Sequence, residues 1–322
     1  MNKVTRTMII GGGVAAAFSA IVGVGSRFAT EKLMKLALNR QEPEKDQKNK
    51  VSGDKKISET KIQAREDAEK LENIGCREVV MESFDGTTLV GHWYPCENAQ
   101  RVIVAMHGWR SSWTKNFGSV SEFWHENGCS VLFAEQRGQG KSGGDYMSFG
   151  ILERLDCIEW ARWVEQDVAE GLPIYLAGVS MGASTVLMAS GLDLPQSVCG
   201  IIADCGFTSP HDIWESVVEN KFHIPYYLCR RRADKICRKR ISESAKAYSC
   251  PEALKNCKVP VLFIHGTDDK FVPIAMTYEN YKACVAPKRL LVVPGAEHGM
   301  SYLVEKERYA ETTKLFWNDC EK

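Results

Sequence analysis

Four short stretches of this sequence carry residue types that together can perform acyl transfer. Gly178-Val179-Ser180-Met181-Gly182 follows the apolar run 174–177 and leads into Ala183 and Ser184. A serine flanked in this way, between a strand end and a helix start, has the setting that a nucleophile elbow requires. The requirement is steric. Small flanking residues let strand and helix approach while the turn lifts the Ser180 hydroxyl clear of the sheet edge. The same turn puts the Met181 backbone N–H at a helix start.

His298 lies in Gly295-Ala296-Glu297-His298-Gly299-Met300. From a loop after the last strand it can take the Ser180 proton as general base and return it as general acid. A carboxylate must then fix the tautomer and stabilise the imidazolium. Asp268 and Asp269 compete for that role within His265-Gly266-Thr267-Asp268-Asp269-Lys270-Phe271-Val272-Pro273, and Asp204 is a third candidate by position. The fourth stretch, His107-Gly108-Trp109-Arg110, follows the run 102–106. It can aim the Trp109 backbone N–H at a developing oxyanion, with Met181 N–H as the second donor. One such donor contributes about 3–4 kcal/mol to the transition state. His107 is expected to hold the loop. Cys205 is expected to pack rather than react, because no basic neighbour in the sequence favours a thiolate.

These residues need strands that end along one edge, and the pattern supplies them. Apolar runs at 102–106, 131–134, 174–177, 201–203, 261–264 and 290–293 suit parallel strands buried on both faces. Strands are also expected at 77–82 and 87–94, joined by Phe84-Asp85-Gly86. Helical stretches at 152–168, 182–190, 274–285 and 302–317 alternate with them, which argues for an α/β architecture. Residues 209–258 interrupt the alternation with Pro225 and a basic run from Arg230 to Arg240. They are expected to form a small helical cap, with the basic run as a solvated face, a membrane contact or an anion site.

Composition bounds the rest. The chain has 322 residues, 44% hydrophobic and 25% charged, enough for one large domain or two modest ones. Its 41 basic and 41 acidic residues balance, which argues against a nucleic-acid partner. Its 12 cysteines are scattered without a C-x-x-C pair, so neither a metal ribbon nor a disulfide framework is indicated. No metal or organic cofactor is expected.

Residues 7–26 are uncharged and follow Lys3 and Arg6; about twenty such residues can span a bilayer. A cleaved signal segment is the rival reading. The expected organisation is a membrane anchor over 1–40, a polar linker over 41–57 and a folded domain over 58–322. On that division, a chain shortened past residue 40 should stay soluble and active. Basic residues on both sides of the apolar stretch leave its orientation open.

Taken together, the motifs resemble those of the α/β-hydrolases, from Arg77 to the C-terminus. The resemblance rests on the His-Gly loop, Glu135-Gln136-Arg137-Gly138-Gln139-Gly140-Lys141-Ser142, the Ser180 turn, HGTDDKFVP and GAEHG, in that order. Within the superfamily, the chain is similar to bacterial membrane-anchored hydrolases of the Bem46-like and serine-aminopeptidase-like groups. The resemblance implies a mostly parallel sheet of about eight strands with helices on both faces. It implies Asp269 as the acid, because the family pattern H-G-x-x-D-x-x-V-P places its aspartate there. Glu135 and Gln139 depart from the family's usual aspartate and histidine. The implied enzyme is a serine hydrolase using Ser180, His298 and Asp269, with a carboxylic ester as first-choice substrate. A lipid or protein acyl group, a peptide or amide, and a non-catalytic membrane-tethered binding role are the alternatives.

Overall fold

The computed structural model describes residues 27–40, 59–169 and 171–321. Eight strands form one sheet: β1 (Arg77–Glu82), β2 (Thr88–Tyr94), β3 (Arg101–Met106), β4 (Cys129–Ala134), β5 (Ile174–Val179), β6 (Val198–Asp204), β7 (Val261–Gly266) and β8 (Lys288–Val293). Their order is β1-β2-β4-β3-β5-β6-β7-β8, antiparallel where β2 meets β1 and β4 and parallel from β4 to β8. This is the mostly parallel sheet expected from the sequence.

Burial follows from the strand composition. β3, β4 and β7 are buried at every residue, whereas β1 at the sheet edge is largely exposed. Alternate side chains of one strand serve two cores. Val102, Val104 and Met106 of β3 enter one face, and Ile103 and Ala105 enter the other.

Eleven helices flank the sheet among the described residues. They are α1 (27–38), α2 (Glu59–Asn73), α3 (Trp113–Glu126), α4 (Glu153–Trp163), α5 (Met181–Ala189), α6 (Pro210–Phe222), α7 (Arg230–Ile241), α8 (Cys250–Leu254), α9 (Ile274–Ala283), α10 (Ser301–Val304) and α11 (Lys306–Cys320). A π-helical turn, Val164–Val168, extends α4. The single helix expected over 302–317 is broken at Glu305, where φ is −134°. The cap consists mainly of α6 and α7. Ser209 caps α6 by accepting the Asp212 N–H, and Pro210 occupies its first turn, where no N–H is needed.

The expected division at residues 40 and 58 puts residues 27–40 with the anchor. The expected span at 7–26 and the linker lie outside the described residues. Residues 27–40, however, pack on the body of the fold. Thr30, Met34 and Leu38 are buried at a spacing of four, so one face of α1 points inward. Carbonyls of its last turns, of which a helix end leaves the final four without an intrahelical partner, accept bonds from three separate segments. Ala37 accepts from Trp109 Nε1 at 2.9 Å, Leu38 from Met147 N at 2.7 Å and Met34 from Arg240 Nη1 at 2.8 Å. Arg40 in turn donates to the Gly140 carbonyl at 2.5 Å. The basic run of α7 therefore divides. Arg240 and Arg232 hold α1, the latter through Glu31 at 2.7 Å, while Arg230, Arg231, Lys235 and Lys239 face solvent.

Among the described residues, no helix is long and apolar enough to cross a membrane. Leu38 is fully buried, so Leu38→Ala should lower the unfolding free energy by about 2–5 kcal/mol in a urea titration. A chain beginning at Gln41 should also melt below one beginning at Arg27. Equal melting temperatures would show that α1 adds nothing to the fold.

Candidate active site

Ser180 stands between the end of β5 and the start of α5 with φ 58° and ψ −118°. A non-glycine residue held in this region costs on the order of 1–3 kcal/mol, so its surroundings must over-determine it. They do so through close backbone approach. A Cβ on Gly182 would run into the carbonyls of Met106 and His107, and one on Gly178 would run into the Gly182 carbonyl. The Asp204 carbonyl accepts the Ser180 N–H at 2.9 Å and ties the turn to β6.

His298 lies between Ser180 and Asp269. Its Nδ1 is 2.6 Å from Asp269 Oδ2, and its Nε2 is 2.9 Å from Ser180 Oγ. Burial pushes the Asp269 carboxyl up, but hydrogen bonds from His265 and His298, the His298 charge and the Val272 N–H outweigh it. The group is held well below the usual carboxylate range. An ionised Asp269 requires the proton on Nδ1, which leaves the Nε2 lone pair to accept the Ser180 hydroxyl. The loops that carry these residues are zipped together. Asp268 N–H donates to the Ala296 carbonyl at 3.0 Å and Gly295 N–H to Thr267 Oγ1 at 2.9 Å.

Geometry separates the three aspartates. Asp268 is exposed and, among the described residues, its carboxylate accepts only from its neighbour Thr267, at 2.9 Å. The Asp204 side chain is buried and accepts from Ser301 Oγ at 3.0 Å. Asp269 alone of the three bonds His298. Its other oxygen accepts the Phe271 and Val272 N–H groups at 2.8 and 2.9 Å, which fixes its rotamer.

In the loop after β3, Gly108 N–H donates to Asn116 Oδ1 at 2.7 Å and Arg110 N–H to Gln139 Oε1 at 2.6 Å. Trp109 N–H, between them, has no partner among the described residues. Gly108 faces Ser180 closely, since a Cβ there would lie 3.3 Å from the Ser180 Cβ. The loop that carries Trp109 therefore runs beside Ser180, and Met181 follows the serine in the chain. His107 ties the loop to the segment after β4. Its Nδ1 donates to the Gly108 carbonyl at 2.9 Å and its Nε2 accepts Gln136 N–H at 3.2 Å. Burial pushes its pKa down, which keeps the ring neutral in this role.

The two departures in the Glu135–Ser142 stretch are accommodated in the same region. Glu135 accepts from His92 Nε2 at 2.7 Å and from Lys141 N–H, and it packs where a Cβ on Gly140 would clash. Gln139 supplies the acceptor for Arg110 N–H. Burial drives the Cys205 thiol well above its usual range, and neighbouring Asp204 and Asp269 add to the effect. A neutral, buried thiol fits a packing role. Donor atoms of Cys205, Asp269 and His298 lie within 4.8 Å of one another, but both His298 nitrogens are engaged by Asp269 and Ser180.

Sequence reading assigned no role to His265 or Asn116. His265 is fully buried; its Nε2 lies 3.0 Å from the Val272 carbonyl and 3.3 Å from Asp269 Oδ2, and its Nδ1 lies 2.7 Å from Thr277 Oγ1. It braces the carboxylate from behind. Its place inside HGTDDKFVP was the available signal. Asn116 lies on α3, eight residues after Gly108, and no local pattern marked it.

Comparison with known proteins finds chains similar to this one. Residues 97–224 match the family described as serine aminopeptidase, S33. A non-heme haloperoxidase of Rhodococcus erythropolis is 43% identical, over 67% of this chain and 91% of that protein. The uncharacterised protein YqkD of Bacillus subtilis is 27% identical, over 74% of this chain and 77% of its own. Among solved structures, an esterase of Pyrococcus furiosus superposes with a TM-score of 0.63 at 23% identity, covering 78% of this chain and 93% of that one.

Position, not charge alone, distinguishes the adjacent aspartates. Asp269→Asn should cut kcat for an activated ester by about 10³–10⁴-fold by fixing the wrong histidine tautomer. Asp268→Asn should leave kcat unchanged. Equal losses in steady-state assays would contradict the assignment of Asp269.

Proposed function

The chain belongs to the α/β-hydrolase superfamily, and from that premise we propose that it is a serine hydrolase that cleaves carboxylic esters through an acyl-enzyme. The observation that carries this reading is the position of His298, hydrogen-bonded at once to Ser180 and to an ionised Asp269. Ser180 Oγ attacks the ester carbonyl while His298 Nε2 takes its proton. The negative charge that forms on the carbonyl oxygen is met by the N–H groups of Trp109 and Met181. His298 returns the proton to the departing alcohol. Water then attacks the acyl-enzyme with His298 as base, and the acid product leaves.

Ester rather than amino-terminal peptide is favoured by the pocket beside the site. Trp109 and Phe271 line it, and Lys221 is its only charged lining residue among the described residues. A peptide α-ammonium would need a carboxylate there, and the one charge available has the wrong sign.

We also propose that residues 1–26 tether the enzyme to a membrane. The outer face of α1 supports this. Leu36, Phe222 and Ile224 share a surface groove with Lys32 and Lys35, and Phe28 is 75% exposed. Apolar side chains among lysines suit the interface of an anionic bilayer. The full chain should float with liposomes containing anionic lipid, and a chain beginning at Arg27 should float less or not at all. Flotation of neither would contradict the tether.

The catalytic claim has its own test. Ser180→Ala and His298→Ala should each lower kcat for a p-nitrophenyl ester by about 10⁴–10⁶-fold, and the double variant should fall no further. Losses that multiply in the double variant would mean that the two residues do not act as one unit.

A further inference from the structure

A cavity of about 250 Å³ lies between α1, the cap helices α6 and α7, and two residues beside the Ser180–His298 pair, Trp109 and Phe271. Trp109, whose backbone N–H is the proposed oxyanion donor, turns its ring into the cavity wall. Phe271 forms the adjoining wall, with its ring 6.4 Å from that of Trp109 and 5.1 Å from that of His298. The far wall comes from Leu33 and Ala37 of α1, with Val218 of α6 and Ala233 of α7. Lys221 is exposed and sits 4.3 Å above the Phe271 ring, so its ammonium stays in water.

We propose that this cavity is the acyl-chain site of the enzyme, that it takes a straight saturated chain of medium length, and that α1 is one of its walls. The proposal rests on the ester-hydrolase reading above. An apolar lining without a buried charge selects hydrocarbon, because burying a polar group there would leave its hydrogen bonds unmade. A methylene is comparable in bulk to a water molecule, at about 30 Å³, so the space holds about eight carbons. Phe271, packed on His298, and Trp109, next to the glycine that faces Ser180, are walls of the cavity, so an ester carbonyl at Ser180 has its acyl chain beside the cavity.

The role of α1 makes this site unlike a pocket built by the cap alone. The Trp109 indole donates to the Ala37 carbonyl at 2.9 Å, and Arg110 Nε donates to the Leu36 carbonyl at 3.0 Å. One helix thus shapes the cavity and anchors the loop that carries the oxyanion donor. Chain-length selection therefore depends on a segment that lies immediately after the proposed membrane tether.

The test uses the full chain and p-nitrophenyl esters from acetyl to hexadecanoyl. Each methylene buried in the cavity should raise kcat/KM about fourfold until the cavity is full, giving an optimum near octanoyl. Leu33→Trp fills the α1 wall and should reduce the octanoyl-to-acetyl ratio of kcat/KM by about tenfold or more. Leu33→Ala enlarges the cavity and should move the optimum to longer chains, which keeps the test open should the tryptophan variant misfold. Octanoate binding to Ser180→Ala protein, followed by calorimetry, supplies a readout free of turnover and should be abolished by Leu33→Trp. A profile that falls steadily from acetyl, or one unmoved by both Leu33 variants, overturns the proposal while the hydrolase reading stands. Octanoate binding that depends on Leu33, in a wild-type protein without esterase activity, would uphold the cavity and overturn the hydrolase reading.

Discussion

The backbone at Ser180 is the constraint on which the rest of the site depends. A residue at φ 58° between a buried strand and a helix is stable only where its neighbours leave no alternative. Here the neighbours are backbone atoms: the carbonyls of Met106 and His107 against Gly182, and the Gly182 carbonyl against Gly178. No side chain larger than hydrogen fits at either glycine. The adjacency of β3, β5 and β6 in the sheet makes these contacts. The strand order thus becomes the position of one hydroxyl, and that hydroxyl fixes where His298 must arrive.

Around the serine, the site is assembled from loops that brace one another. The loop after β7 carries Asp269 and the loop after β8 carries His298, and backbone bonds between them set the spacing. His265 holds the carboxylate from the side away from solvent. The loop after β3 is fixed at both ends, by Asn116 and by Gln139, and α1 secures its indole. Preorganisation of this kind lowers a barrier because donors already point where charge develops.

Much of this was legible in the sequence, for identifiable reasons. The glycines at 178 and 182 and the apolar run before them encode a local steric requirement, so the turn could be read without tertiary information. Strands buried on both faces, such as β3 and β7, announce themselves as unbroken apolar runs. The choice between Asp268 and Asp269 was not local. Spacing and residue type suit both, and only family resemblance, then geometry, separated them. Residues 27–40 were read as part of the anchor because their four basic residues drew attention to charge and topology. The spacing of Thr30, Met34 and Leu38 was the opposing signal. It shows that a face is buried, but not against what, since the partners come from Trp109, Met147 and Arg240, between 72 and 206 residues further along the chain. The break at Glu305 was equally invisible, as no proline or glycine marks it.

The central claim is that Ser180 is an activated nucleophile, and covalent labelling tests it most directly. The full chain would be treated with a fluorophosphonate probe and the adduct mapped by mass spectrometry, with Ser180→Ala protein alongside. The account predicts a single adduct on Ser180 that is absent from the variant. Folded wild-type protein that stays unlabelled, or a label that persists in the variant, would contradict it.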